Sequence, residues 1–231
     1  MIPSWLHGLA LASLGVAIAC ALVIAADLLR RPQPMAIMNV VWPVSALFGS
    51  VAWLAFYWRE RRAAAGPHAA PRPFLVQVAK ATSHCGSGCT LGDIVAESWA
   101  LASPSVLVLF GWQTLFQERT FAAWGLDFAV AYLLGIVFQY WTIAPMRHLG
   151  LAAGLWAAVK ADTLSLLAWQ VGMYGGMAIA KFVVFRRLLG VELDARQPEF
   201  WFAMQAAMCL GFIASAPVNA WLLRRGWKEA M

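Results

Sequence analysis

The amino-acid sequence predicts an all-α fold, a polytopic transmembrane bundle of about six spanning helices. Of its 231 residues 62% are hydrophobic and only 12% are charged, whereas a soluble domain carries about 25% charged residues. The mean hydropathy is +0.69, and the apolar residues fall into blocks of roughly 20, the length of a helix that crosses a lipid bilayer. No polar segment between these blocks has the length of a soluble domain.

Each apolar block predicts one spanning helix, and prolines or charge clusters mark the ends. The spans are predicted over residues 5–29, 35–58, 85–112, 121–143, 149–185 and 200–223. Pro32 and Pro34 cannot continue the first helix, and Pro104 is expected to kink the third. A short interfacial helix is predicted over 74–83. The block at 149–185 is too long for one perpendicular helix, so it is either a single tilted helix or two pieces meeting near residues 160–163.

The proline-broken stretch AAAGPHAAPRP marks the one evident boundary in the chain. We therefore divide the sequence into an N-terminal transmembrane hairpin (1–58), a basic Pro/Ala linker (59–73) and a C-terminal transmembrane domain (74–231) that carries the cysteine motif.

The net charge of +6 does not indicate nucleic-acid binding, because the basic residues cluster at the ends of the apolar blocks. Tryptophans gather there too, as expected of an aromatic belt at two membrane interfaces. The sequence thus predicts a multi-pass protein of a bacterial inner membrane, with lipid as its surroundings. A slight excess of basic residues in alternate loops favours both termini on the cytoplasmic side.

The stretch SHCGSGCTLGDIVAESW holds the most reactive side chains of the sequence. Cys85, Cys89, Asp93 and Glu97 follow one another in steps of four, so on a helix they form a slowly winding stripe. We expect this stripe to begin at the mouth of the third span. His84 points about 100° away on a regular helix, but the nearby glycines would allow its ring to turn toward the thiols.

Two thiols and an imidazole that converge on one point are typical of a soft-metal site, since thiolates select Cu(I) and imidazole accepts copper or zinc. We therefore predict a Cu(I) site formed by His84, Cys85 and Cys89, with zinc as the alternative metal. The ligand chemistry is similar to that of the copper chaperones that load cytochrome oxidase. Two other interpretations stay open, namely a redox-active thiol pair and simple packing of small side chains.

Methionines recur at a spacing of four, and thioethers are also soft ligands. The pairs are Met173 with Met177 and Met204 with Met208, the latter followed by Cys209. This arrangement resembles the thioether ladder of copper uptake transporters and predicts a path for the ion. Methionine is also a common gap-filler in apolar cores, so packing is the alternative.

Several polar residues interrupt the apolar blocks, and charged groups at membrane depth tend to mark functional pathways. They are Asp27, Asp93, Glu97, Asp127, Gln139, Lys160, Asp162, Gln170 and Lys181. We expect Asp93, Glu97, Lys160 and Asp162 to balance the charge of the ion or to couple its movement to protons. Lys160 and Asp162 are two apart and do not face each other, so Asp93 or Glu97 could serve as the partner of Lys160. The alternative is that Asp27, Lys160 and Lys181 lie at the membrane interfaces and extend their charged ends into water.

Small-xxx-small spacings permit close helix packing. They occur at Gly88 with Gly92 and at Gly172 with Gly176, and we assign these glycines a structural role. The sequence has no phosphate-binding loop, zinc-protease motif or nucleophile elbow, and no histidine pairs typical of a haem site. We therefore assign no catalytic residue.

Three blocks carry a family resemblance: HCGSGCTLGDIVAE, IAPMRHLGLAAGLWAAVKADTLSLLAWQVGMYG and FWFAMQAAMCLGFIASAPVNAWL. They resemble the signature blocks of a bacterial membrane-protein family catalogued as a domain of unknown function, with similarity over about residues 35–229. The resemblance implies a polytopic helical fold and motif positions at the cysteines, Asp93, Lys160, Asp162 and the methionines. Some members are joined to copper-protein domains, which implies copper and a copper-protein partner, but no activity.

The sequence thus predicts a membrane protein that binds Cu(I) for transport or delivery. A membrane thiol oxidoreductase is the first alternative, in which Cys85 and Cys89 cycle between dithiol and disulfide. An accessory subunit of a respiratory or metal-oxidase complex is the second. The sequence leaves open whether the chain forms a homo-oligomer or joins a larger membrane complex.

Overall fold

The computed structural model describes residues 1–64 and 72–229. Within these ranges the chain forms six α-helices and no β-strand, which confirms the predicted all-α fold. The helices are α1 (Ser4–Arg30), α2 (Met38–Ala64), α3 (Phe74–Ala102), α4 (Arg119–Arg147), α5 (Leu151–Ala178) and α6 (Pro198–Arg224). In the described ranges five segments are long and apolar enough to cross a membrane, or six if α3 and the turn that follows it count as one. The protein is therefore a membrane protein.

Contacts between helix ends define two faces of the bundle. At the face where the chain begins, His7 Nδ1 lies 2.7 Å from Glu199 Oε1 at the start of α6. At the opposite face, the guanidinium of Arg224 lies 4.9 Å from the ring centroid of Phe74 at the start of α3. We call these the N-terminal face and the C-terminal face. The helices α3, α4, α5 and α6 pack side by side between them, while α1 packs against α2 and α6, and α2 packs against α3 and α6.

The helix α2 turns back on itself. Ser50 has φ 48° and ψ −132°, a backbone conformation that interrupts the helix. The rings of Trp42 and Tyr57 lie 5.4 Å apart, whereas fifteen residues of straight helix would separate them by about 22 Å. Two helical halves, 38–49 and 51–64, therefore pack against each other as a hairpin. The first half begins and the second half ends at the C-terminal face, where Arg61 donates to the carbonyl oxygen of Arg31 at 2.9 Å.

The tip of this hairpin lies at the depth of the middle of α6. Gln205 Nε2 donates to the carbonyl oxygen of Leu47 at 2.7 Å, and the Cys209 thiol contacts that of Phe48 at 3.7 Å. By length and composition residues 38–63 are sufficient to cross a membrane, but each half is shorter than the roughly 20 residues that a crossing needs. The structure therefore corrects the predicted second span to a re-entrant hairpin.

The helix α3 is continuous from Phe74 to Ala102. The separate interfacial helix predicted over 74–83 is therefore wrong, and Cys85 and Cys89 lie in the middle of a helix rather than at its mouth. After Ser103 the chain bends by 114° into a 3₁₀-helix over Pro104–Phe110. Pro104 thus begins a turn instead of kinking a longer span, since its ring cannot extend the helix before it.

The chain crosses the bundle five times, through α1, α3, α4, α5 and α6. A π-helix over Ile179–Leu188 continues α5 without a break. The apolar block predicted at 149–185 is therefore one helix of 38 residues and not two pieces. Five crossings place the termini on opposite faces, which corrects the predicted topology with both termini on one side.

Of the predicted linker, residues 59–64 belong to α2 and residues 65–71 lie outside the described part.

Candidate functional site

The stripe predicted on α3 faces the interior of the bundle. Cys85, Cys89, Asp93 and Glu97 are exposed by 1%, 0%, 0% and 6%. They are on one side of α3 because residues four apart lie on the same face of a helix. This arrangement places two thiols and two carboxyl groups along the membrane-spanning part of one helix.

Two glycines allow α4 to approach this stripe closely. A Cβ added at Gly88 would lie 3.3 Å from the Cα of Gly135, and one added at Gly92 would lie 2.6 Å from the Cα of Ala131. The second distance is shorter than side-chain packing permits, so only glycine fits there. The structure thus places Gly88 and Gly92 at a helix contact, as small-xxx-small spacing predicts.

The thiols of Cys85 and Cys89 are neighbours on successive turns of α3, and neither forms a disulfide. Cys85 also lies beside the carboxyl group of Asp162 on α5. Gln139 Nε2 on α4 donates to Asp162 Oδ1 at 3.5 Å. Residues from three helices therefore surround the thiol pair.

Asp93 and Asp127 are fully buried carboxyl groups on facing helices. Asp127, exposed by 1%, lies close enough to Asp93 and Glu97 for their charges to interact. Among residues 1–64 and 72–229, none supplies a hydrogen-bond partner to either oxygen of Asp93 or of Asp127. Because a buried polar atom without a partner is costly, these four oxygens indicate a place where water, a proton or a cation is held.

Lys228 lies at the end of this group of residues that is nearest the C-terminal face. It follows α6, yet its side chain enters the bundle, where Nζ donates to Asn219 Oδ1 at 2.6 Å and to Ser165 Oγ at 3.4 Å. Arg147 holds this segment in place by donating to the carbonyl oxygen of Gly226 at 2.7 Å. The amine also lies close to Cys85 and Asp162.

At the N-terminal face the stripe ends beside charged groups. Glu97 lies near Lys181 and Arg119, and all three line a small pocket together with Asp194. Buried polar groups therefore follow one another from one face to the other, through Glu97, Asp93, Asp127, Cys89, Cys85, Asp162 and Lys228. We call this set the polar line.

His84 does not join the thiols. Its Nε2 lies 2.9 Å from Thr142 Oγ1 on α4, and its ring packs against Phe138. Within the described ranges no three His, Cys, Asp or Glu side chains come together closely enough to hold a metal ion. The predicted three-ligand site of His84, Cys85 and Cys89 is therefore not assembled, because the helix stays regular through the glycines.

The four paired methionines are buried in the same cluster as the two thiols. Met173, Met177, Met204 and Met208 are exposed by 0%, 2%, 2% and 3%. The hydroxyl of Thr90, the residue after Cys89, donates to the sulfur of Met208 at 3.5 Å. Cys209, in contrast, is exposed, so it lies outside this cluster of soft ligands.

Lys160 is also outside the polar line. Its amine is exposed and lies 5.9 Å from the ring centroid of Trp156, so the predicted pairing with Asp93 or Glu97 is wrong. Lys228 occupies the interior instead, and nothing in the sequence near it signals this placement. The glycines Gly172 and Gly176 lie against α6, where added Cβ atoms would approach Leu210 O and Ala207 Cα at 2.6 and 3.0 Å.

Residues 76–228, more than half of the chain, match the family described as a domain of unknown function, DUF4396. The chain belongs to this family. The DUF4396 region begins within α3 and ends at Lys228, so it contains the entire polar line. It leaves out α1 and α2, and thus starts later than the similarity from about residue 35 that the sequence resemblance implied. No curated protein and no solved structure matches the chain.

Proposed function

We propose that this protein binds Cu(I) within the membrane and moves it along the polar line. The observation that carries the proposal is the buried pair of free thiols, Cys85 and Cys89, in one cluster with four buried thioethers. Thiolate and thioether sulfurs select Cu(I) over harder ions. Two adjacent thiols are a sufficient ligand set for this ion, which forms stable complexes with two sulfur ligands.

The carboxyl groups beside the thiols are positioned to accept the protons that Cu(I) binding releases. Each thiol must lose a proton to become a thiolate ligand, so binding one Cu(I) at both cysteines releases two protons. Asp162 beside Cys85 and Asp93 one turn below Cys89 are positioned to accept them. This exchange of protons for the ion would couple copper movement to protons.

The distribution of basic residues supports one orientation of the protein in a bacterial inner membrane. All 17 Lys and Arg residues lie in the described part of the chain, and twelve of them occupy the half toward the C-terminal face. The other five are Arg119, Lys181, Arg186, Arg187 and Arg196. Cytoplasmic segments carry the excess of basic residues, so the C-terminal face is cytoplasmic and the N-terminus is outside.

Metal loading of purified protein tests this function. Protein kept anaerobic and reduced is loaded with Cu(I), washed, and analysed for bound metal by mass spectrometry. A Cys85→Ser/Cys89→Ser variant is compared with a Cys20→Ser/Cys209→Ser variant, which removes the same number of thiols elsewhere. We expect near-stoichiometric copper in the wild type and in the control, and none in the Cys85/Cys89 variant.

Two outcomes would contradict the copper proposal. Equal copper in both double variants would show that the metal binds elsewhere. A loaded wild-type protein that retains no copper would exclude a Cu(I) site. The second result would favour the thiol oxidoreductase or the accessory subunit. The near-complete burial of both thiols argues against direct thiol exchange with another protein, because that reaction requires access to the sulfur.

A further inference from the structure

A second polar site lies at the C-terminal face, beside the α2 hairpin. A cavity of about 340 Å³ opens there between the end of α1, the hairpin and the start of α3. Its lining includes four basic side chains from separate parts of the chain, Arg31, Arg61, Arg72 and Lys80. Since none of them belongs to the polar line, this cavity is a different site.

The carboxylates at this cavity are too few to neutralise the basic groups. Glu60 contacts both Lys80, at 2.9 Å, and Arg72, at 3.5 Å. Asp27 pairs with Arg61 at 2.8 Å and also accepts a hydrogen bond from Tyr57. Four cations therefore face two carboxylates, and the cavity carries an excess positive charge.

The positions of these cations distinguish a binding site from a merely basic surface. Arg31 at the rim is exposed, but the side chains of Arg61, Arg72 and Lys80 are exposed by only 18%, 23% and 14%. Arg59 and Arg62 of the same hairpin are exposed and line a different part of the surface. Withdrawing cations from water without equal negative charge is unfavourable, so the cavity favours an anionic ligand.

We propose that this cavity binds the phosphate group of an anionic phospholipid. Arginine guanidinium groups bind phosphate oxygens through paired, charge-assisted hydrogen bonds. Basic pockets between helices at the cytoplasmic side of a membrane bind lipid head groups of this kind. The cavity lies at the end of membrane-embedded helices, where the acyl chains of the same lipid remain in the bilayer beside the hairpin.

Lipid titration by native mass spectrometry tests the proposal. Delipidated full-length protein in detergent receives phosphatidylglycerol or, as the neutral reference, phosphatidylcholine. An Arg31→Gln/Arg72→Gln variant is compared with an Arg59→Gln/Arg62→Gln variant, which loses the same charge outside the cavity. We expect phosphatidylglycerol to bind the cavity variant at least about tenfold more weakly than the wild type. The control variant should bind this lipid with the affinity of the wild type.

A Glu60 variant and a competition with inorganic phosphate also test the cavity. A Glu60→Gln variant raises the positive charge of the cavity and should bind phosphatidylglycerol more tightly than the wild type, so the site is tested by gain as well as by loss. Inorganic phosphate at the lipid concentration should not compete; competition would identify a free anion as the ligand and overturn the lipid assignment. Equal weakening in both double variants, or equal binding of the two lipids, would overturn the site itself.

Discussion

The amine of Lys228 lies 2.6 Å from the side-chain oxygen of Asn219, inside the bundle, although Lys228 follows the last helix of the chain. The side chain of Lys228 thus points back into the bundle from the segment after α6. It places a cation at the end of the polar line nearest the C-terminal face, next to Asp162 and Cys85. A cation moving along the line would meet this charge, so Lys228 must move or lose its proton for passage.

Stability should depend on the buried contacts of Lys228. Its amine donates to Asn219 Oδ1 and to Ser165 Oγ inside the bundle, and removing a buried donor leaves its acceptors without their partner, which costs about 1–3 kcal/mol. We expect a Lys228→Met variant to unfold at a lower temperature in detergent than the wild type. A Lys160→Met variant, which changes an exposed lysine, should unfold close to the wild-type temperature; equal losses in the two variants would contradict the prediction.

Close contact between α3 and α4 should depend on Gly92. An added methyl group at this position would lie 2.6 Å from the Cα of Ala131, so the helices must separate. Overpacking of this kind costs about 1–3 kcal/mol. We expect Gly92→Ala to lower the thermal unfolding temperature in detergent. The matched change Gly175→Ala meets no atom within 4 Å and should have little effect; similar losses in both variants would show that the contact is not the cause.

Labelling with a membrane-impermeant thiol reagent can test the α2 hairpin. In a Cys209→Ser background, single cysteines are introduced by Ala36→Cys and by Ala63→Cys, two exposed positions on either side of the hairpin. We expect both to be labelled from the cytoplasmic side, and a Glu192→Cys variant from the opposite side. Labelling of positions 36 and 63 from opposite sides would show that α2 crosses the membrane and would exclude the hairpin.

The carboxyl groups of Asp93 and Asp127, which have no hydrogen-bond partner in the part of the chain that the structure describes, should matter for copper transport more than for copper binding. Replacing either one with asparagine removes a proton acceptor but leaves the thiols in place. We expect Asp93→Asn and Asp127→Asn to retain bound Cu(I) and to lose copper uptake into proteoliposomes. Glu192→Gln, a change at a surface carboxylate, serves as the control. Uptake at wild-type rates in both aspartate variants would remove the polar line from the mechanism.

The sequence predicts four of the spans within a few residues. The spans at 5–29, 121–143 and 200–223 correspond to α1, α4 and α6, and the span at 149–185 corresponds to α5 with its π-helical continuation. A long apolar run fixes where a helix can lie in a bilayer. The α2 hairpin is different, since residues 35–58 are equally apolar. Its turn at Ser50 depends on side chains of α6 that bind the tip, and a local pattern carries no information about them.

The stripe on α3 follows from spacing alone, and the structure places all four of its members in the interior. The cation that completes the polar line could not be predicted in this way. Lys160 lies in an apolar block and Lys228 follows one, so the pattern favours Lys160. The structure buries Lys228 because Arg147 and Asn219, from α4 and α6, hold its segment; only the tertiary fold brings these residues together.

The hairpin of α2 also implies an order of events during synthesis. Leu47 and Phe48 leave the ribosome 158 and 161 residues ahead of Gln205 and Cys209, whose side chains bind their carbonyl oxygens. Lipid tolerates irregular backbone at membrane depth only where protein or water surrounds it. The hairpin must therefore wait near the membrane surface until α6 has been made, so one of the earliest segments to emerge is among the last to reach its final place.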